Sequence, residues 1–180
     1  MYVLVAALCL TPIPQSQGKI TSQYGWRQLP GDTHRTFHGG IDIAAKLGTP
    51  VRAIQDGVVT FAHVDMRGTG GKVINITTQM EVGEQVVRYG HLHQILVQRK
   101  ATVKRGQIIG LVGSTGFSTG PHLHLEVMTV LPDDTIAFHN PIAWICNYRR
   151  ELHVPHFRSP GKREIRSPSS GESENANTRQ

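Results

Sequence analysis

Lys72-Val73-Ile74-Asn75-Ile76-Thr77-Thr78 is the stretch that decides the fold class. Val, Ile and Thr dominate it, and β-branched side chains favour a pleated strand over a helix. Successive side chains in a strand point to opposite faces, so Ile74, Ile76 and Thr78 share one face and Val73, Asn75 and Thr77 the other. One face can therefore build a core. Outward from this stretch, similar short runs recur at Pro50 to Ile54, Gly57 to Ala62, Gln85 to His91, Gln107 to Val112 and His122 to Met128. Gly, Pro and Asp punctuate them, and no internal repeat is visible. From Lys19 to about Asn147 this predicts an all-β fold, an antiparallel β-sandwich or barrel-like sheet.

Composition agrees. A hydrophobic fraction of 38%, 19 glycines and 6% aromatic residues suit a turn-rich β protein better than a helical bundle. The turn before Ile108 is legible as Lys104-Arg105-Gly106-Gln107, with Gly106 able to take a positive φ. A length of 180 residues allows one compact domain, placed at 18–148. Two cysteines, Cys9 and Cys146, in unrelated settings predict neither a disulfide framework nor a cysteine metal tetrad.

The formal charge of +6 draws the chain toward polyanions. Nucleic acid is not the expected partner, because the basic residues are scattered and carry no interleaved aromatic stacking partners. They are dense only in the segment 149–180, where seven Lys or Arg stand against four Asp or Glu. That Ser/Pro-rich segment has too little apolar surface to offset the entropy of ordering, so it reads as a disordered tail suited to electrostatic contact with anionic envelope polymers. At the other end, residues 1–17 read as a signal peptide or N-terminal extension. The apolar run Val3 to Leu10 has the length of an export signal's core and is too short to span a bilayer, although no Lys or Arg precedes it. The reading is an exported protein, periplasmic or wall-associated, and not transmembrane.

Three histidine-bearing segments carry the chemistry: His38-Gly39-Gly40-Ile41-Asp42, Tyr89-Gly90-His91-Leu92-His93 and Pro121-His122-Leu123-His124-Leu125-Glu126. On a strand His122 and His124 project together while Leu123 and Leu125 point to the apolar side. Zinc takes imidazole nitrogen and carboxylate oxygen, and a catalytic site keeps three protein ligands with a position open. His38, Asp42 and one of the His122/His124 pair would suffice. Glu126 continues the same face, either as a partner of a ligand imidazole or as a strand-end ion pair. The glycine-rich loop Gly113 to Gly120 lacks the lysine of a phosphate cradle and reads as the loop that aims His122. His93 follows its strand into a loop and stays outside the site, and His34, His63, His139, His153 and His156 read as surface or structural.

These segments, together with Ser22 to Arg27, Gly40 to Ala44, Gly48 to Val51 and Lys104 to Gly110, resemble the lysostaphin and LytM type of zinc endopeptidase over Ile20 to about Pro141. The resemblance implies the duplicated hybrid motif-like β fold, one Zn2+ per chain held by His38, Asp42 and His124, and His91 and His122 as catalytic histidines that are not ligands. It further implies peptidoglycan as substrate, cut within stem peptides or cross-links. The sequence departs from the family's pattern at Gly68 to Lys72 and Thr77 to Gln85, which bears on substrate preference. No HExxH glutamate is present, so acid–base work falls to histidines, whose unperturbed pKa near 6.5 suits it. Two rival readings remain open at this level: a catalytically silent wall-binding or amidase-activating module, and a metallo-endopeptidase acting on a non-wall peptide. Within peptidoglycan the bond is a D-alanine–diamino acid cross-link or a glycine bridge, and the bare domain leans toward the direct cross-link.

Overall fold

The computed structural model describes residues 10–28, 31, 33–66 and 69–147. The leader stretch up to Cys9, the tail 149–180 and with it His153 and His156 lie outside the described residues. Among the described residues thirteen strands and one short helix follow in order: β1 Gly18–Ser22, β2 Gly25–Arg27, β3 Thr36–His38, β4 Gly40–Ala45, β5 Pro50–Arg52, β6 Gly57–Val64 and β7 Lys72–Gln79. Then come β8 Glu84–Gly90, β9 Gln94–Ile95, β10 Thr102–Val103, β11 Ile108–Leu111, β12 His122–Val130, β13 Ile136–His139 and α1 Pro141–Asn147.

The all-β expectation is met. An eight-stranded sheet runs β1-β4-β12-β8-β7-β6-β10, with β13 added beside β12, and a three-stranded sheet runs β5-β11-β9. All pairings are antiparallel. A two-stranded ribbon, β2 with β3, stands apart from both sheets. The core includes Ile41 and Ile43 of β4, Leu123, Leu125 and Val127 of β12, Val87 and Tyr89 of β8, and Ile74 and Ile76 of β7. Val51, Ile54, Leu92, Ile109 and Val112, from the smaller sheet and the loops around it, belong to the same cluster. Burying each of these side chains stabilises the fold by about 1.5–3 kcal/mol relative to exposure.

Local departures from the sequence reading have physical causes. The run at Pro50 leaves its ladder after Arg52, because the Ile54 N–H donates to the buried Tyr89 hydroxyl at 2.9 Å. The run ending at His91 stops at Gly90, since His91 takes a left-handed backbone at φ 60°. The second face of β7 is not open: Val73 is fully buried and Gly70 crowds its side chain, while Thr77 pairs with the Thr60 hydroxyl at 2.8 Å. Lys104 to Gln107 is the expected turn, closed by Gln107 N–H on the Lys104 carbonyl at 2.9 Å, with Gly106 at φ 89°. The segment before β1 contributes to the domain. Ile13 is only 2% exposed within the core, and the Pro12 carbonyl accepts the Arg52 N–H at 2.8 Å.

Register sets up the site. On β12, Leu123, Leu125 and Val127 are buried in the core while His122, His124 and Glu126 face the opposite, half-open side. His124 lies between Asp42 of β4 and Gly90 of β8, and Glu126 lies between Gly40 and Arg88. One sheet face therefore carries two adjacent rows of functional side chains.

Candidate active site

The third donor arrives from outside the sheet. His38 ends β3, and Phe37 beside it anchors the ribbon through edge contacts to Tyr24, Trp26 and Phe138 with ring centroids 5.3, 5.5 and 6.4 Å away. The Tyr24 hydroxyl adds a hydrogen bond to the Phe138 carbonyl at 3.0 Å. The ribbon thus holds His38, 6% exposed, over the row formed by Asp42 and His124.

Three donor atoms converge there. His38 Nε2 lies 3.2 Å from His124 Nδ1 and 3.3 Å from Asp42 Oδ1, and His124 Nδ1 lies 2.8 Å from Asp42 Oδ1. A tetrahedral zinc with ligand bonds of about 2.0–2.1 Å spaces its donors about 3.3–3.4 Å apart. Two nitrogens and a carboxylate oxygen at 2.8–3.3 Å fit that requirement with small adjustment, and this trio forms a group able to hold a metal ion.

Each donor is fixed from behind. His38 Nδ1–H donates to the Gln23 carbonyl at 2.8 Å, so Nε2 keeps its lone pair. His124 Nε2–H meets Glu126 Oε1 at 3.1 Å, which leaves Nδ1 as the donor to the centre. Asp42 Oδ2 is bound by Arg27 at 3.3 Å, and the same guanidinium reaches the Ser22 hydroxyl. Such outer partners set tautomer and orientation in metal sites.

Electrostatics favour a cation at this point. Burial works against the Asp42 carboxylate, but the close approach of His124 and then His38 to Oδ1 outweighs it and holds the carboxyl far below the ordinary range. Burial likewise opposes a charge on His124, yet Asp42 and Glu126 prevail and raise its imidazole to about 9. Glu126 is kept ionised against its own burial by His124 and then Arg88. In the metal-free protein the proton on His124 takes up the positive charge that the carboxylates demand.

Two further imidazoles lie beside the trio. His91 and His122 have ring centroids 4.6 Å apart, His91 is 5.8 Å from His124, and His122 Nε2 is 3.7 Å from Asp42 Oδ1. Both take their orientation from one loop. His91 Nδ1–H donates to the Thr115 carbonyl and His122 Nδ1–H to the Gly120 carbonyl, each at 2.8 Å. Nε2 is thereby the basic nitrogen of each ring, and desolvation lowers the pKa of His91, which keeps it neutral at pH 7. The loop Gly113 to Gly120 therefore aims two histidines, where the sequence pointed to one.

All five sequence-derived residues come together, and among the described residues His93, His34, His63 and His139, which were set aside, stay apart. His93, His34 and His63 are exposed on the surface, and His139 bonds Thr129 at 2.8 Å and packs at a tilt against Trp144. Glu126 proves to be both of its alternatives, a partner of His124 and an ion pair with Arg88 at 3.6 Å. Arg27, Arg88 and Thr115 had no assigned role in the sequence. A signal existed for Arg88, a lone charge inside the apolar run Val86-Val87-Arg88-Tyr89, in register with Glu126.

The sequence profile of peptidase family M23 matches residues 36–136, a span that holds all five residues. The chain belongs to peptidase family M23. Among curated M23-like relatives, it is 43% identical over 108 residues to the DD-carboxypeptidase/endopeptidase Mpg of Neisseria meningitidis, covering 60% of this chain and 24% of that protein. It is 42% identical over 106 residues to the glycyl-glycine endopeptidase ALE-1 of Staphylococcus capitis, covering 59% and 28%. It is 40% identical over 114 residues to the peptidoglycan DD-endopeptidase ShyA of Vibrio cholerae, covering 63% and 25%. The chain spans about a quarter of the length of these relatives. Among solved M23 structures, the catalytic domain of a prophage-encoded M23 protein from Enterococcus faecalis superposes with a TM-score of 0.59 at 35% identity, covering 74% of this chain and 95% of that one. A zinc-containing peptidase from Vibrio cholerae gives 0.59 at 35% identity, covering 71% and 37%. No helix among the described residues is long and apolar enough to cross a membrane.

Proposed function

We propose that this chain is a zinc-dependent endopeptidase that hydrolyses peptide bonds in peptidoglycan, acting in the bacterial envelope. The observation that carries the reading is the donor triangle of His38, Asp42 and His124 with His91 and His122 set beside it. Relatives named as peptidoglycan and glycyl-glycine endopeptidases, and a zinc-containing structural neighbour, support it.

His38 Nε2, Asp42 Oδ1 and His124 Nδ1 would hold the metal. Zinc bound there supplies a Lewis acid that polarises the scissile carbonyl and brings the pKa of water toward about 7. His91 and His122 stand on one side of the triangle, with Nδ1 of each committed to a loop carbonyl. Their Nε2 atoms take the proton from the attacking water and return one to the departing amine nitrogen. The same pair stabilises the oxyanion of the tetrahedral carbon once a ring is protonated. Arg27, 3.3 Å from Oδ2, keeps the other oxygen of Asp42 turned toward its two histidines.

Metal analysis of purified variants, paired with digestion of purified peptidoglycan, tests the assignment. His38→Ala, Asp42→Ala and His124→Ala are expected to lose zinc and activity together, because a three-ligand site tolerates no vacancy. His91→Ala and His122→Ala are expected to keep zinc and lose activity. Loss of zinc in either of these two overturns the division of roles. Mass spectrometry of the new termini, on walls with direct D-alanine–diamino acid cross-links and on walls with glycine bridges, identifies the bond. Wild-type protein that binds zinc and cuts neither, while releasing a defined peptide from another substrate, refutes the wall assignment.

The basic tail 149–180 is proposed as a tether to anionic envelope polymers. Deleting residues after Arg158 is expected to weaken binding to isolated cell walls at low salt more than at high salt. Unchanged binding at both refutes the tether.

A further inference from the structure

Behind the metal-facing row the sheet carries a second row of charges. Arg88 of β8 is the cross-strand partner of Glu126, two residue pairs beyond Gly90 and His124 and so on the same face. Its Nε lies 3.6 Å from Glu126 Oε2, and its terminal nitrogen binds the Asp65 carboxylate. Asp65 follows β6 and is held by its own backbone, whose N–H donates to the Gly71 carbonyl at 2.7 Å. Glu126 Oε1 in turn meets His124 Nε2 at 3.1 Å. Side-chain exposure along the line is 17% for Asp65, 23% for Arg88, 18% for Glu126 and 16% for His124, so solvent screens these charges only partly.

We infer that Asp65 and Arg88 are positioning residues for the metal centre: they hold the Glu126 carboxylate so that His124 presents Nδ1, and not Nε2, to the ion. The inference rests on the proposed metal role of His38, Asp42 and His124. Its physical basis is geometric. A carboxylate with one oxygen in an ion pair with a guanidinium, here at 3.6 Å, cannot swing away from an imidazole without losing that charge pairing. A ring whose Nε2–H is fixed in this way cannot flip to the other tautomer. Arg88 is suited to the task because its planar fork reaches two carboxylates at once, which a lysine point charge does not reproduce. None of Asp65, Arg88 or Glu126 contributes a donor to the triangle, so their effect on zinc is indirect.

The test is a zinc dissociation constant from chelator competition on the full chain, with thermal midpoints measured on zinc-free and zinc-loaded protein. Arg88→Met and Asp65→Asn are expected to weaken zinc binding about 10-fold, within the 10- to 100-fold range for outer partners of metal ligands. Arg88→Lys is expected to recover part of that loss. The midpoint gain on adding zinc shrinks in Arg88→Met, whereas a merely structural role would lower both midpoints equally and leave the gain unchanged. Equal lowering, or dissociation constants within twofold of wild type, overturns the relay while leaving the metal centre intact. Wild-type protein that binds no zinc refutes the metal-centre reading itself. If Arg88→Met fails to fold, Asp65→Asn and Arg88→Lys carry the comparison, since both preserve side-chain size.

Discussion

Thr115→Val separates the aiming of the catalytic histidines from their chemistry. The Thr115 hydroxyl accepts the Lys72 N–H and donates to the Leu92 carbonyl, each at 2.9 Å, while the backbone carbonyl of the same residue receives His91 Nδ1–H. Valine matches threonine in shape and removes only the two hydroxyl bonds. At about 0.5–1.5 kcal/mol each, the expected destabilisation is about 1–3 kcal/mol. For a domain of this size that is a fall in thermal midpoint of about 3–10 °C. The loop, released from Lys72 and Leu92, carries its carbonyl away from His91, and a misplacement of about 1 Å costs up to about 100-fold in rate. A fall in kcat of about 10-fold or more is therefore expected, with zinc content unchanged. Chemical denaturation, metal analysis and release of new amino termini from peptidoglycan measure the three quantities. Ser114→Ala is the control, since that residue is exposed and its hydroxyl bonds only the Ser118 hydroxyl among the contacts described, and it is expected to change stability by less than about 0.5 kcal/mol. A Thr115→Val protein that loses stability but keeps kcat within twofold refutes the coupling between the hydroxyl latch and His91.

Tyr89→Phe strands the buried Ile54 N–H and is expected to cost about 1–3 kcal/mol in urea denaturation with zinc binding intact; a loss under 0.5 kcal/mol would mean that another group takes over that N–H. Gly71 has φ 64°, and a Cβ there would stand 2.3 Å from the Thr115 carbonyl carbon, so Gly71→Ala is expected to destabilise by more than the ordinary left-handed penalty of about 1–2 kcal/mol and to lower kcat, read by the same assays. Burial depresses the pKa of His139 below its ordinary value of about 6.5. The unfolded chain then takes up a proton before the folded one, so this residue's contribution is full above about pH 6.5 and is lost as pH falls below it. His139→Gln, able to keep the bond to Thr129, is expected to flatten the fall in thermal midpoint over that acid range relative to wild type; parallel curves would contradict the assignment.

The strands were legible because their pattern is physical at short range. Leu123, Leu125 and Val127 against His122, His124 and Glu126 is a period of two that needs no tertiary knowledge, and the structure buries the first set in the core. The donor set was legible for a different reason, since glycines between His38 and Asp42 excluded a helix and the resemblance divided ligands from catalytic histidines. What could not be read was partnership across the sheet. That Arg88 faces Glu126, or that Thr115 bridges Lys72 and Leu92, depends on strand order and register, which local pattern leaves open. The end of β8 was missed by one residue because nothing in the identity of His91 announces a left-handed backbone. The same turn explains why His93, two residues on, does not share the face of His91.

His91 and His122 are both steered by main-chain oxygens, those of Thr115 and Gly120, within one loop. Every amino acid carries such an oxygen. The loop can therefore change its exposed side chains at Ser114, Phe117 and Thr119, where Phe117 is 80% exposed, and leave those two carbonyls in place. A library restricted to these three positions would retarget the enzyme without having to rebuild its chemistry.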